Sequence, residues 1–214
     1  MTTTLTRWSH ACIRLERGSD VLVIDPGVFT DAASALAGCR AILVTHEHVD
    51  HLDVEPVAGA VAAGAHVWGP AEALAVLSDA GADPGSLHPV QGGDSITAGG
   101  FDVGVVGEWH AQIHPDIPLV KNVGYVVERV LHPGDAFVTV EPGTVDVLLA
   151  PVAGPWLKLS EAIDYVRAVA PSRAVVIHDA PLSDAGRALS LRLVTALGGA
   201  GDPVVLAPGE SIEL

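Results

Sequence analysis

The chain has 214 residues, a length that suits one domain or a pseudo-symmetric pair sharing a core. Its formal net charge is −15, and its two lysines and nine arginines are scattered, so it lacks the cationic footprint that a nucleic-acid partner demands. Hydrophobic residues make up 49% and aromatic residues only 4%, so Val, Ala and Leu must fill the core, as layered α/β packing allows.

Strands are expected first at Leu5–Arg7, Ala11–Glu16, Val21–Ile24 and Ala41–Val44, where apolar residues alternate or run together. A helix fits Asp53–Ala63, then a short strand His66–Trp68 and a second helix Ala71–Asp79. Gly81-Ala82-Asp83-Pro84-Gly85 and Gly92-Gly93-Asp94 read as turns. Strands resume at Ser95–Thr97, Phe101–Glu108, Gly124–Val130 and Val145–Leu149. A helix over Leu159–Ala170 and a strand over Ala174–Ile177 follow. Ser183 caps a last helix running to Leu197, Gly198-Gly199 stops it, and Val204–Leu206 is the final expected strand. Strands outnumber helices, and two packed mixed sheets flanked by helices would bury every apolar face within one unit, 1–214.

The chemistry concentrates after the fourth strand. Ala41-Ile42-Leu43-Val44 opens into Thr45-His46-Glu47-His48-Val49-Asp50-His51, which brings three imidazoles and Asp50 together in one loop. Imidazole nitrogen and carboxylate oxygen suit a borderline divalent cation such as zinc. His46 and His48 stand at i and i+2, so in an extended backbone they point the same way and can share one ion. Asp50 and His51 lie further round the loop, where they can face a second.

This run resembles the His-x-His-x-Asp-His signature of the metallo-β-lactamase superfamily. Three further motifs match in order. His110 follows Gly107-Glu108-Trp109, Asp135 follows His132-Pro133-Gly134, and His178 follows Val175-Val176-Ile177. The opening Trp8-Ser9-His10-Ala11-Cys12-Ile13 and the later Ile24-Asp25-Pro26 resemble the L-ascorbate-6-phosphate lactonase-like branch. Ser9 stands there for the usual glycine and Ile13 for the usual aromatic. Pro151-Val152-Ala153-Gly154-Pro155 is similar to the late Pro-x-Gly-Gly segment of that branch, with Ala153 departing.

The resemblance implies a four-layer αββα sandwich, of class α/β (α+β), and a dinuclear centre. His46, His48 and His110 would hold one metal, Asp50, His51 and His178 the other, and Asp135 would bridge them. Two cations lower the pKa of a shared water toward roughly 7, which makes hydroxide at neutral pH. That hydroxide would attack a small ester, lactone or phosphodiester, with Asp50 orienting it. Two divalent ions are therefore the expected cofactors, zinc foremost and manganese as the alternative that the branch suggests. A phosphodiesterase, or a non-catalytic metal-binding regulator on the same fold, stands as the competing reading.

Substrate contacts are expected from His10, Lys121 and Lys158. The loop Trp109–Asn122 carries two prolines, so it should cross the rim of the site rather than continue a strand. His114 within it is a candidate to contact substrate or protonate the leaving group. His132, three residues before Asp135, is a candidate support for the ligands. Cys12 and Cys39 read as small core residues outside every ligand motif. No apolar leader or run of about 18 apolar residues marks a secretory or membrane segment, so a cytoplasmic protein with a small-molecule substrate and no membrane partner is expected. The sequence leaves the oligomeric state open.

Overall fold

The computed structural model describes residues 1–204 and 206–214. The first half runs β1 (Thr4–Ser9), β2 (Cys12–Arg17), β3 (Asp20–Ile24), α1 (Ala32–Ala35), β4 (Ala41–Leu43), α2 (Val54–Ala62), β5 (His66–Gly69), α3 (Ala71–Asp79) and β6 (Leu87–Pro89). The second runs β7 (Ser95–Ala98), β8 (Phe101–Val106), β9 (Gly124–Val127), β10 (Val130–His132), β11 (Val147–Pro151), α4 (Leu159–Val169), β12 (Arg173–Ile177), α5 (Asp184–Leu197) and β13 (Asp202–Val204). A last strand, β14 (Glu210–Glu213), returns to pair with β1.

Two sheets result, ordered β14-β1-β2-β3-β4-β5-β6 and β13-β12-β11-β10-β9-β8-β7. Each begins as an antiparallel meander and ends in parallel strands, from β3 to β6 in the first and from β10 to β13 in the second. Period-two alternation decides what each face meets. Leu22, Ile24 and Leu43 point inward against Phe101, Val105, Tyr125, Leu149, Val175 and Ile177 of the other sheet. Their neighbours point outward. Ile42, Val44 and Val67 meet α2 and α3 through Val57, Val61, Leu74 and Leu77. Leu148, Ala150 and Val176 meet α4 and α5 through Val166, Val169 and Val194. The outcome is the αββα sandwich. Each buried Val or Leu contributes roughly 1.5–3 kcal/mol, so many aliphatic side chains do what few aromatics do elsewhere.

Strand direction positions the site. β1, β3 and β4 run the same way, as do β8, β10 and β12. Their carboxyl ends carry His10, Asp25, His46–His51, His110, Asp135 and His178. Chain segments leaving parallel strands this way build a crevice along the sheet edge.

Some elements differ from expectation. Gly124–Val130 is a hairpin, because Glu128 and Arg129 both take left-handed conformations, φ 49° and 62°, and turn the chain. Neither is a glycine or asparagine, so the turn left no compositional mark. The short strands β6 and β14 and the four-residue α1 were too brief to show periodicity. The expected strand Val204–Leu206 includes Val205, which lies outside the described residues; the strand described at that edge is Asp202–Val204. No helix among the described residues is long and apolar enough to cross a membrane.

Candidate metal centre

The ligand loop is held from three sides. Asp25, fully buried at the end of β3, accepts the Thr45 amide at 2.8 Å and the Thr45 hydroxyl at 2.7 Å. The segment after it docks on the loop, with the Val28 amide donating to the Val49 carbonyl at 2.9 Å and the Asp53 amide to the Pro26 carbonyl at 2.9 Å. That approach requires Gly27, since a Cβ there would collide with the Asp50 carbonyl. From the opposite sheet, the Tyr125 hydroxyl donates to the Val44 carbonyl at 2.8 Å and the Val123 amide to the Thr45 carbonyl at 3.0 Å.

Ring and carboxylate atoms of the loop converge with those of the other strand ends. His46, His48 and His110 bring ligand atoms within 4.8 Å of one another. Asp50, His51 and His178 do the same, with His10 beside them, and His46, His51 and Asp135 form a third such group between the two. Asp135 reaches both sides, with Oδ1 3.1 Å from His51 Nε2 and Oδ2 3.1 Å from His178 Nε2 and 3.4 Å from His110 Nε2.

Partners behind these rings fix which nitrogen faces inward. Asp25 Oδ2 lies 2.7 Å from His51 Nδ1, so His51 turns Nε2 toward the centre. His110 Nδ1 donates to the Ala111 carbonyl at 2.5 Å and likewise presents Nε2. Yet His51 Nε2, His110 Nε2, Asp135 Oδ1 and both ring nitrogens of His178 are buried with no properly oriented hydrogen-bond partner among the described residues. An unmet buried polar atom costs about 1–3 kcal/mol. Several such atoms aimed at one place are the arrangement that divalent cations satisfy, and the imidazole and carboxylate donors fit a borderline metal.

Charge in the bare protein points the same way. Burial alone would keep these rings neutral, and it holds His46 well below the usual histidine range and His48 below it. Burial also opposes charge on His51 and His178, but nearby carboxylates prevail. Asp135 and Asp25 raise His51 well above its ordinary value, and Asp135 and Asp50 push His178 up to about 9. Asp50 and Asp135 are held well below the carboxylate range despite burial, Asp50 chiefly by the His10 hydrogen bond and the His178 ring 3.4 Å away, and Asp135 chiefly by the His51 charge. Protons on His51 and His178 thus balance two anions that cations would otherwise balance.

The expected substrate contacts are placed differently from the ligands. His10 is 1% exposed, accepts the Ala180 amide on Nδ1 at 3.3 Å and donates from Nε2 to Asp50 Oδ2 at 3.1 Å. It therefore orients Asp50 and has no ring nitrogen left for a substrate. The loop after His110 does cross the rim, where Ile113, Ile117 and Leu119 close over His48 and His110. His114 stands off that contact, with its side chain 61% exposed and its Nδ1 accepting the Asp116 amide at 3.2 Å. Lys121 is bound to Glu108 at 2.8 Å and lies over the Trp109 ring. Lys158 sits at the start of α4, 80% exposed and bonded to Glu161.

Three supporting residues carried weak sequence signals. Asp25 stood in the Ile-Asp-Pro segment without an assigned role. Trp156 donates its Nε1–H to Asp135 Oδ2 at 2.7 Å, and only its place just after Pro151–Pro155 hinted at the site. Asn122 accepts the Asp135 amide at 2.9 Å and donates to the Pro133 carbonyl at 3.0 Å, clamping the turn that presents Asp135. Gly134, at φ 63°, is the residue that lets Asn122 come so close. His132 supports the same turn by accepting the Gly134 amide at 3.2 Å, while its Nε2 donates to the Ala11 carbonyl at 2.8 Å.

Residues 4–178 match the family model described as "Beta-lactamase superfamily domain". The chain belongs to the β-lactamase superfamily. Protein Rv0786c of Mycobacterium tuberculosis is 39% identical over 194 residues, covering 86% of this chain and 88% of that protein. The UPF0173 metal-dependent hydrolase PH1671 of Pyrococcus horikoshii is 27% identical, covering 96% of both. Among solved structures, the metallo hydrolase Igni18 of Ignicoccus hospitalis aligns with TM-score 0.76 at 18% identity, over 100% of this chain and 99% of that one. This superfamily membership covers the segment from β1 to the end of β12 and so includes every residue of the two clusters.

Proposed function

We propose that the chain is a metal-dependent hydrolase that holds two divalent ions, zinc foremost, and cleaves a small ester or lactone. The observation that carries this reading is the convergence of unpartnered ring and carboxylate atoms from both sheets on one point. His46, His48 and His110 would hold one ion, Asp50, His51 and His178 the other, with Asp135 shared. Bound there, the ions would activate water and stabilise charge developing on the substrate oxygen.

The chain's own residues supply the positioning. Asp135, anchored by Trp156 and Asn122, sets the separation of the two clusters. Asp50 is the carboxylate of the centre with access to solvent, its side chain 25% exposed, and it stays ionised at neutral pH. It is the acceptor that orients the attacking water, and His10 holds it in place. Attack forms a new bond from water oxygen to the carbonyl carbon and breaks the ester C–O bond. The proton of the water ends on the leaving alkoxide, so an ester gives an acid and an alcohol and a lactone gives one hydroxy acid.

No Lys or Arg among the described residues pairs with Asp50 or Asp135, and Lys121 and Lys158 lie in surface ion pairs with Glu108 and Glu161, which supports an uncharged acyl substrate over a phosphodiester. The test is metal analysis of the purified protein with a panel of chromogenic esters, lactones and phosphodiesters. Near two ions per chain and metal-dependent ester or lactone turnover are expected. Metal-independent turnover, or turnover confined to phosphodiesters, would overturn the reading.

A further inference from the structure

Beneath the rim loop, His48 and His110 share a space of only about 20 Å³ with Ile113, Ile117 and Leu119. On the other flank of the centre lies a cavity of about 590 Å³, within the size range of small-molecule pockets. It is bounded by β1, the chain after β12, α5 and the segment before β14, and its apolar wall includes Phe29, Ala180, Leu191, Leu206 and Pro208. It shares a partition with the metal centre. Ser9 and Asp179, which line it, flank His10 and His178 in sequence, and the Ala180 amide is bonded to the His10 ring. Phe29 stands at its entrance, 51% exposed, with its ring centroid 5.1 Å from that of His10.

The polar end of the cavity is built rather than incidental. Arg7 is 3% exposed, pairs with Asp179 and donates to the Leu206 carbonyl at 3.0 Å, so the charged floor of the cavity is fixed in place. At a strand rise of about 3.3 Å per residue, Arg7 sits roughly 10 Å below His10. The lining charges are Arg7 and Arg187 against Asp179, Asp184 and Glu210, an excess of one carboxylate that disfavours an anionic ligand.

We infer that this cavity receives the substrate's apolar chain, so that the preferred substrate is an uncharged ester or lactone with an alkyl or aryl arm of medium length. The inference rests on the hydrolase reading for what reacts, while binding of the chain can be measured without turnover.

Two exposed alanines, Ala188 on α5 and Ala207 on the facing segment, allow the cavity to be filled from opposite walls without disturbing the core. Calorimetric titration of 1-octanol into the protein should show saturable binding, weakened at least tenfold in Ala188→Trp and in Ala207→Phe. With p-nitrophenyl acetate and octanoate, kcat/KM should favour octanoate by at least tenfold, and both variants should reduce that ratio. Metal content and Tm report whether each variant is intact. No octanol binding, binding unaffected by both intact variants, or a chain-length ratio near one would overturn the pocket. If no ester is turned over at all, the hydrolase reading fails on its own, and octanol binding alone decides the pocket.

Discussion

Asp25 lies behind His51, its Oδ2 2.7 Å from Nδ1, while Asp135 Oδ1 faces Nε2 of the same ring at 3.1 Å. One imidazole is thus gripped between a carboxylate that orients it and a carboxylate that shares its task. Asp25 also holds Thr45 through backbone and hydroxyl, so it locks the whole start of the ligand loop.

Asp25→Ala should therefore weaken metal binding about 10- to 100-fold, the usual effect of losing an outer-shell partner. It should also cost roughly 1–3 kcal/mol or more in stability, because the buried Thr45 donors and His51 Nδ1 lose their acceptor. Metal occupancy against a competing chelator and denaturant unfolding measure the two effects. Wild-type affinity in a folded Asp25→Ala protein would show that His51 needs no such orientation.

Asp135→Ala should remove more bound metal than His46→Ala or His178→Ala. In the proposed ligand assignment each of these histidines would serve one ion, whereas Asp135 lies within 3.4 Å of rings from both sets. Trp156→Phe should give a milder loss, since the ring keeps its packing on Phe137 but no longer donates to Asp135 Oδ2. Metal content and turnover across the four variants give the ranking. An Asp135→Ala protein that keeps both ions and normal rates would end the bridging assignment.

Removing the metal should reverse the usual pH response. In the bare fold His178 is raised to about 9 against an ordinary value of 6.5. A raised histidine contributes stability that is fully present below its unfolded pKa and is lost as pH rises through its folded one. His51 shifts the same way. The chelated protein should thus be less stable at pH 9.5 than at pH 6.5, by on the order of 3 kcal/mol at most for His178, and its Tm should be lower there. Metal must displace these protons, so loading should release protons and tighten as pH rises toward about 9. A chelated protein equally stable at both pH values, with no proton release on loading, would contradict this.

The two sheets and the convergence of the ligand motifs were legible because both rest on strong local signals. Apolar strands such as Ala41–Leu43 and Val147–Pro151 are fully buried on both faces. Three imidazoles and a carboxylate packed into His46–His51 repel or strand one another unless a cation joins them. The support layer was less legible. Trp156 and Asn122 reach Asp135 across 21 and 13 residues, and no periodicity reports a contact made only by the folded chain. His10 was visible as a site residue, but its direction was not. Only the fold shows that both ring nitrogens are already engaged. Lys121 and Lys158 were singled out as the lone lysines, and each is taken by a nearby glutamate that sequence alone does not pair with it.

The rim loop separates two roles that its sequence mixes. Its neck is fixed by the His110 amide donating to the Val120 carbonyl at 3.1 Å and the Asn122 amide to the Glu108 carbonyl at 3.1 Å. Between these bonds, Ile117 and Leu119 lie against the metal-cluster rings while remaining nearly half exposed, and His114 turns to solvent. His114→Ala should therefore keep its metal and change kcat/KM by less than about twofold, as surface substitutions generally do. Leu119→Ser should also keep its metal but raise KM, because a lost apolar contact of one or two carbons costs about 1–2 kcal/mol, or roughly 5- to 30-fold. Steady-state kinetics on the best ester of the panel, with metal content as the control, measure both. A large kcat loss in His114→Ala with metal retained would restore that histidine as the proton donor to the leaving group and would mean that the loop closes further when substrate binds.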